Sequence, residues 1–288
     1  MMKASVFIYV FLFIILLSAH GTGQNSSEDP TAAAVIELII QKTEAPAIQN
    51  TVDVIKEGDP ETPVTGIITT MFATMDVLKE AVAKKCNLII AHEPLYYNHL
   101  DTKEQWMNDP VFLEKQKFIL DNKLVVWRFH DYIHRMNPDG IATGMLAKLG
   151  WEKYRVDGLL NRFEMPETKL ENLLQELKQK FPEHAFQVIG KPSINISKIS
   201  VVSGSPGSAR HISALQENDV LIAGEVPQWE TYEYVRDAVL QGRNKAVIFI
   251  GHINSEEAGM DYCATWLKGF INNLPIYFVS SGSSFWTY

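Results

Sequence analysis

Cysteine is scarce: the 288-residue chain holds two, Cys86 and Cys263. Two thiols allow at most one bridge, which excludes a scaffold stapled by a disulfide framework. Cys86 stands just ahead of the apolar run 88–91, and Cys263 shares a helical pattern with Trp266, Leu267 and Phe270. Both read as small buried hydrophobes. Clustered positive charge is also missing. Lys and Arg number 26 against 34 Asp and Glu, so the net charge is −8 and the pI is near 5.5. That balance argues against a nucleic-acid partner. Long apolar runs are absent too. The unbroken run 6–17 has 12 residues, short of the roughly 20 that a spanning helix needs. There is no internal repeat and no low-complexity tract.

What surrounds the run 6–17 gives it a reading. Lys3 precedes it, and the small residues Ser18, Ala19, Gly21 and Gly23 follow. This is the layout of a secretory signal. Residues 1–23 are therefore expected to be a signal peptide cleaved near Gly23–Gln24, and the protein to be exported, periplasmic or secreted. No stable membrane span would remain. No Cys lies near the cleavage region, so a lipid-modified N-terminus is not expected. The sequons Asn25-Ser26-Ser27 and Asn195-Ile196-Ser197 matter only in a eukaryotic secretory route.

An apolar content of 46% suits one large or two modest globular units. Residues 64–72, 87–91 and 123–129 read as strands, with helices expected at 77–85, 110–122 and from Pro138 or Asp139 to Leu149, where Gly150 ends the last. Strand–helix–strand order favours parallel pairing. The segment 169–180 is amphipathic at helical spacing. Strands then recur at 194–202, 220–223, 246–250 and 276–280, with helices at 232–241 and 256–268, the last capped by Ser255. The expected layout is a first α/β lobe at 24–157, a connecting helical segment at 158–195 and a second α/β lobe at 196–288.

Three segments share one design: an apolar strand ends, and imidazole and carboxylate groups follow at once. They are 88–91 before His92-Glu93, 124–129 before His130-Asp131, and 247–250 before Gly251-His252. Ligands of open α/β sheets gather at the carboxyl ends of strands, so the three can converge. His252 and Glu256 are four apart at a helix start and can face one point. Glu257 lies about 100° further round and serves as the solvated control. A histidine after a strand is more often a turn residue than a ligand, and His99, His184 and His211 stand in plainer contexts. The turn Gly204-Ser205-Pro206-Gly207-Ser208 lacks the ending of a phosphate-binding loop and reads as a tight turn facing the cleft.

Taken together, these motifs resemble the NIF-three-like family of type 2 GTP cyclohydrolase homologues. The resemblance rests on Ile89-Ile90-Ala91-His92-Glu93-Pro94, on Phe129-His130-Asp131, and on Gly251-His252-Ile253-Asn254-Ser255-Glu256. Val202-Ser203-Gly204-Ser205 and Ile222-Ala223-Gly224-Glu225 add to it. It implies two α/β lobes with a dinuclear metal site in the cleft, and a homo-oligomer. The implied ligands are His92, Glu93, Asp131, His252 and Glu256, with Glu256 bridging two divalent ions (Zn, Fe, Mn, Co or Ni). Glu93 stands where the family commonly has a second His. Three carboxylates and two neutral imidazoles leave a negative surplus that two divalent ions and one bridging anion would cancel. His130 and His134 are candidates for orienting Asp131 or the bridging anion. Glu256, and Glu225 as a general base, are the catalytic candidates. The implied activity is metal-dependent hydrolysis of a small molecule. The alternative is a non-enzymatic metal-binding or scaffold protein with the same ligands.

Overall fold

The structure is a computed structural model that describes residues 29–182 and 185–286. The expected signal peptide, the sequon at Asn25 and His184 lie outside the described residues. The first half runs α1 (Ala32–Lys42), β1 (Ile55–Glu57), β2 (Ile67–Thr70), α2 (Met75–Ala83), β3 (Leu88–Ala91), α3 (Pro110–Asp121), β4 (Val125–Arg128), α4 (Asp131–Arg135) and α5 (Gly140–Leu149). The second runs β5 (Arg162–Lys169), α6 (Leu170–Lys180), β6 (Gln187–Ile189), β7 (Asn195–Val202), α7 (Ser208–Glu217), β8 (Val220–Ala223), α8 (Thr231–Leu240), β9 (Ala246–Phe249), α9 (His252–Leu267) and β10 (Ile276–Phe278).

These strands make two five-stranded sheets, ordered β1-β4-β3-β2-β10 and β5-β7-β8-β9-β6. The chain is therefore α/β with a sheet in each lobe. In both, the central strands are parallel and the edges include antiparallel ones. Strands β2, β3, β4, β8 and β9 are buried along their whole length, as expected where both faces of a parallel sheet are covered. Local chemistry sets the helix ends. Asp109 accepts from the N–H groups of Val111 and Phe112 at 2.9 and 3.0 Å, and Pro110 opens α3. Gly150 stops α5 in the left-handed region at φ 66°. Among the described residues, no helix is long and apolar enough to cross a membrane.

Two expectations about the lobes change. Ile276–Phe278 does not join the second sheet; it pairs parallel with β2, Ile276 opposite Ile67. The cause is α9. It leaves the end of β9, and its apolar residues Met260, Cys263, Ala264 and Leu267 pack into the first lobe's core with Ile67, Leu88 and Trp127. The segment expected to be a helical connection supplies both edges of the second sheet, β5 and β6, besides α6. Edge strands escape a search for apolar runs: β5 reads RFEMPETK and fully buries only Phe163. The two cysteines are buried and free.

Helix α5 ties the lobes together. Ile141 lies in the first core, whereas Met145, Leu146 and Leu149 lie in the second. It crosses α9 closely because both helices offer glycine at the crossing. A Cβ on Gly144 would run into the Ala258 carbonyl, and one on Gly259 would meet Ile141. This crossing fixes the carboxyl ends of both parallel sheets on one cavity of about 700 Å³.

Candidate metal centre

His92 and Glu93 follow directly on β3, and their N–H groups bond to the carbonyls of Thr70 and Met71 at 3.1 and 3.0 Å. This extends the ladder and fixes where both side chains start. His92 is fully buried. Its Nδ1 lies 3.1 Å from the Phe129 carbonyl, which can only accept, so Nδ1 carries the proton and Nε2 the lone pair. That Nε2 is buried without a hydrogen-bond partner among the described residues. It lies 3.5 Å from Glu256 Oε2, with two acceptor groups facing each other.

Glu93 is buried at the same point. Arg128, the last residue of β4, donates from Nη2 to Glu93 Oε2 at 3.1 Å, from Nε to the His92 carbonyl at 3.2 Å and from Nη1 to the His99 carbonyl at 2.5 Å. One buried guanidinium thus supports both residues that follow β3. The other oxygen, Glu93 Oε1, lies 3.1 Å from His252 Nε2.

His252 opens α9 after Gly251, whose φ of 87° turns the chain sharply from strand to helix. The helix starts at His252, four residues before the expected start at Glu256. Ser255 instead donates from Oγ to the His252 carbonyl and accepts from Gly204 N–H at 2.9 Å. His252 Nδ1 meets Glu225 Oε1 at 3.0 Å, and Nε2 meets Glu256 Oε2 at 3.0 Å. Burial favours the neutral ring, but hydrogen bonds to Glu225, Glu256 and Glu93 outweigh it and push the pKa to about 12. Burial also works against the Glu256 anion, yet the hydrogen bond with His252 holds its carboxyl well below the usual range. Burial likewise opposes ionised Glu93, and His252 again reverses the sign. The Nε2 proton of His252, between Glu93 and Glu256, occupies the place of a cation.

Backbone closeness completes this side. Gly204 has φ 67°, and a Cβ there would run into the Glu256 carboxylate. A Cβ on Gly224 would run into the backbone of Gly204. The glycines of both second-lobe motifs therefore let one loop lie directly on Glu256.

Asp131 is placed differently. Its Oδ2 accepts from the Thr51 hydroxyl at 2.8 Å and from Val52 N–H at 3.1 Å, and its Oδ1 lies 3.0 Å from His130 Nδ1. The residues whose ligand atoms converge within 4.8 Å form two groups: His92, Glu93 and Glu256, and His92, His130 and His134. Asp131 is in neither. Of the five expected ligands, the structure brings together His92, Glu93, His252 and Glu256 and gives Asp131 to His130. Glu225 is largely exposed and, among the described residues, meets the site at His252. The control, Glu257, holds the chain after β10, accepting from Ser280 Oγ and Ser281 N–H.

The sequence reading missed three contributors. Arg128 left a signal, a lone charge inside the apolar run LVVWRF. Asp53 and Thr51 left none. Asp53 is buried and accepts from the N–H groups of His130, Asp131 and Tyr132 at 2.8, 2.9 and 2.9 Å. It thereby fixes the turn that carries His130 and Asp131.

The donor set fits divalent metal. It pairs imidazole lone pairs with buried carboxylates, and it includes an orphaned nitrogen already set in the ligating tautomer.

Comparison with known proteins bears on the family and the fold. A Clostridium acetobutylicum protein named GTP cyclohydrolase 1 type 2 homolog is 26% identical over 230 residues, covering 76% of this chain and 82% of its own. A Mycoplasmopsis pulmonis protein of the same name is 26% identical over 229 residues, covering 73% and 86%. The fold matches that of a Bacillus cereus protein related to NIF3 with a TM-score of 0.70 at 14% identity, over 91% of this chain and all of the other. A hypothetical protein from Staphylococcus aureus matches at 0.69 and 16% identity, over 90% and 100%. The family profile described as Duf34/NIF3 (NGG1p interacting factor 3) matches residues 33–283, and with the fold and the three strand-end motifs in place, the chain belongs to that family.

Proposed function

We propose that the protein is a divalent-metal-dependent hydrolase of a small molecule, with its centre at His92, Glu93, His252 and Glu256. The observation that carries this reading is the buried Nε2 of His92, without a hydrogen-bond partner among the described residues, beside the ionised carboxylates of Glu93 and Glu256. Two ions are the stoichiometry that the donors support. Bound there, metal would supply Lewis-acid polarisation of a substrate oxygen and a nucleophile at neutral pH.

The chain's own residues prepare the site. Phe129 holds the Nδ1 proton of His92 and Glu225 that of His252, so both Nε2 atoms turn inward. Glu93 and Glu256 supply the negative charge. Across the cavity, Ser203, Ser205 and Arg210 line the wall, and Arg210 offers a cation to an anionic substituent of the substrate. The relatives' name suggests ring-opening hydrolysis. Export would remove the protein from cytosolic GTP, so a phosphoester, an amide or another cyclic small molecule suits the centre better.

The test is a broad hydrolase screen with Mn²⁺, Fe²⁺, Co²⁺ or Zn²⁺, comparing wild type with Glu256→Gln. Turnover lost in the variant supports the reading. Metal retention without turnover of any substrate class would favour the non-enzymatic alternative. Export belongs to the same proposal: protein from an extracytoplasmic fraction should begin near Gln24, and soluble cytosolic protein retaining Met1 would refute it. Assembly of several copies is supported by the exposed Tyr97, Leu100 and Met107, and sedimentation velocity tests it.

A further inference from the structure

We infer that one metal position in this chain is a three-imidazole site made by His92, His130 and His134, which takes the role expected of the Asp131 carboxylate. The inference rests on the metal-centre reading above and specifies its ligands. His130 and His134 are one helical turn apart where α4 begins, and each packs on His92. The His92 and His130 rings stack at 4.7 Å, and His134 meets both edge-on at 5.1 Å. One ring nitrogen from each residue lies within 4.8 Å of the other two.

The decisive feature is what holds the other nitrogen. His92 Nδ1 is on the Phe129 carbonyl, His130 Nδ1 on Asp131 Oδ1 at 3.0 Å, and His134 Nδ1 on Asp139 Oδ2 at 3.0 Å. Three acceptors thus fix three rings in one tautomer and leave three Nε2 lone pairs for a ligand. A carboxylate or carbonyl behind each ring is the arrangement that orients metal-bound histidines. The His92 Nε2 is buried and has no hydrogen-bond partner among the described residues. His130 and His134 line the cavity, so a fourth coordination position would face the substrate space, as at catalytic zinc sites. A tetrahedral ion with Zn–N near 2.1 Å brings its nitrogens to about 3.4 Å, a closure on the order of 1 Å.

His92 has one free nitrogen and can serve one ion. Glu93, Glu256 and His252 Nε2 remain for the neighbouring position, which is richer in oxygen. The three-imidazole position should take Zn²⁺, Co²⁺ or Fe²⁺ in preference to Mg²⁺ or Ca²⁺. Asp131 then acts as a positioning residue through His130.

The experiment is titration of the chelator-stripped full chain with Zn²⁺ and Co²⁺, read by calorimetry, by the visible Co²⁺ spectrum and by X-ray absorption at one equivalent of Zn²⁺. His134→Ala should weaken the tightest site ~100-fold or more and drop one imidazole from the Zn²⁺ shell. Asp131→Asn should cost about tenfold or less, because the amide oxygen still accepts the His130 Nδ1 proton. Zn²⁺ held as tightly by His134→Ala as by wild type, but released by Asp131→Asn, would overturn the inference while leaving the metal centre intact. Wild type that binds no divalent ion would overturn the metal-centre reading itself. If His134→Ala fails to fold, the imidazole count in wild type still decides: three supports the inference, and one carboxylate with two imidazoles refutes it.

Discussion

The two lobes bring ligands to one cavity by different means. In the first, the residues after β3 and β4 are held by buried charge. Arg128 braces Glu93 and the His92 and His99 carbonyls, and Lys56 pairs with Asp101 at 3.3 Å just behind. In the second, the residues after β7, β8 and β9 are held by close backbone contact. Gly204, Gly224 and Gly251 let the loops and the start of α9 lie against Glu256 and His252. A first-lobe ligand is thus positioned by electrostatics in a dry setting, where losing one partner strands another. A second-lobe ligand is positioned by shape, where adding a single methyl group does the damage. Helix α9 joins the two methods: it starts in the second lobe and packs into the first lobe's core.

The largest effect should come from breaking the first method. Arg128→Leu would leave buried Glu93 with one of its two cationic partners, His252, and would leave two carbonyls without the guanidinium donor. Loss of one partner from a buried ion pair costs about 3–5 kcal/mol, so urea denaturation of the metal-free variant should show a loss of that size. Adding Glu93→Gln should restore part of it. An Arg128→Leu protein as stable as wild type would show that charge does not organise this lobe. In the second lobe, Gly204→Ala should cost less, about 1–3 kcal/mol for the unfavourable φ. It should also weaken metal binding by pushing Glu256 aside. Equal losses from both substitutions would erase the contrast between the lobes.

The two methods also differ in how plainly the sequence shows them. The second lobe's glycines sit within short motifs: Gly251 directly precedes His252, and Gly204 and Gly224 fall in the two stretches that add to the family resemblance. The central strands were legible in both sheets because fully buried parallel strands are unbroken apolar runs. The edges β1, β5 and β6 were not, since a strand covered on one side is short or polar. Strand-end placement allows His92, Glu93, His252 and Glu256 to converge, and the family resemblance is what names them together. The direction of the Asp131 carboxylate is not legible there, because adjacency to a strand end says nothing of which way a side chain turns. Thr51, Val52 and His130 decide that, and the first two lie some 80 residues away in the chain. Asp53 was invisible for the same reason: its partners are backbone N–H groups at 130–132.

A third substitution joins the lobes. Glu93→His would place an imidazole between Arg128 and His252. It should raise preference for Zn²⁺ over Mn²⁺ at the oxygen-richer position by roughly tenfold, since imidazole favours the softer ion. The same change should destabilise the metal-free protein, because Arg128 then loses its carboxylate. Competitive titration and urea melts of Glu93→His, with and without Arg128→Leu, separate the two effects. Unchanged selectivity would remove Glu93 from the ligand set.

The smallest expected effect concerns protons at the turn that Asp53 holds. Burial, with His92 acting in the same direction, lowers the pKa of His130 to about 4 against the opposing pull of Asp131 and Glu93. A folded value below the unfolded one means the unfolded chain takes up the proton first. Stability from neutral His130 is then complete above about pH 6.5 and declines as pH falls toward 4. His252 works in the opposite sense: its folded pKa is raised, so its contribution is fullest below about 6.5 and fades as pH rises toward 12. The raised pKa of His134, which is paired with Asp139 despite its burial, adds to that opposing trend. The histidines therefore partly cancel in the wild-type profile, and only a difference between proteins isolates one of them. His130→Asn removes the declining contribution and leaves the other two. Between pH 7 and 5 in chelator, wild type should lose about 1 kcal/mol more than His130→Asn, a figure reduced for the partial exposure of the ring. Parallel urea melts at the two pH values measure it. If the variant lost as much as wild type, His130 would be charged in the folded protein at pH 5, and its Nε2 lone pair would not be available there to any ligand.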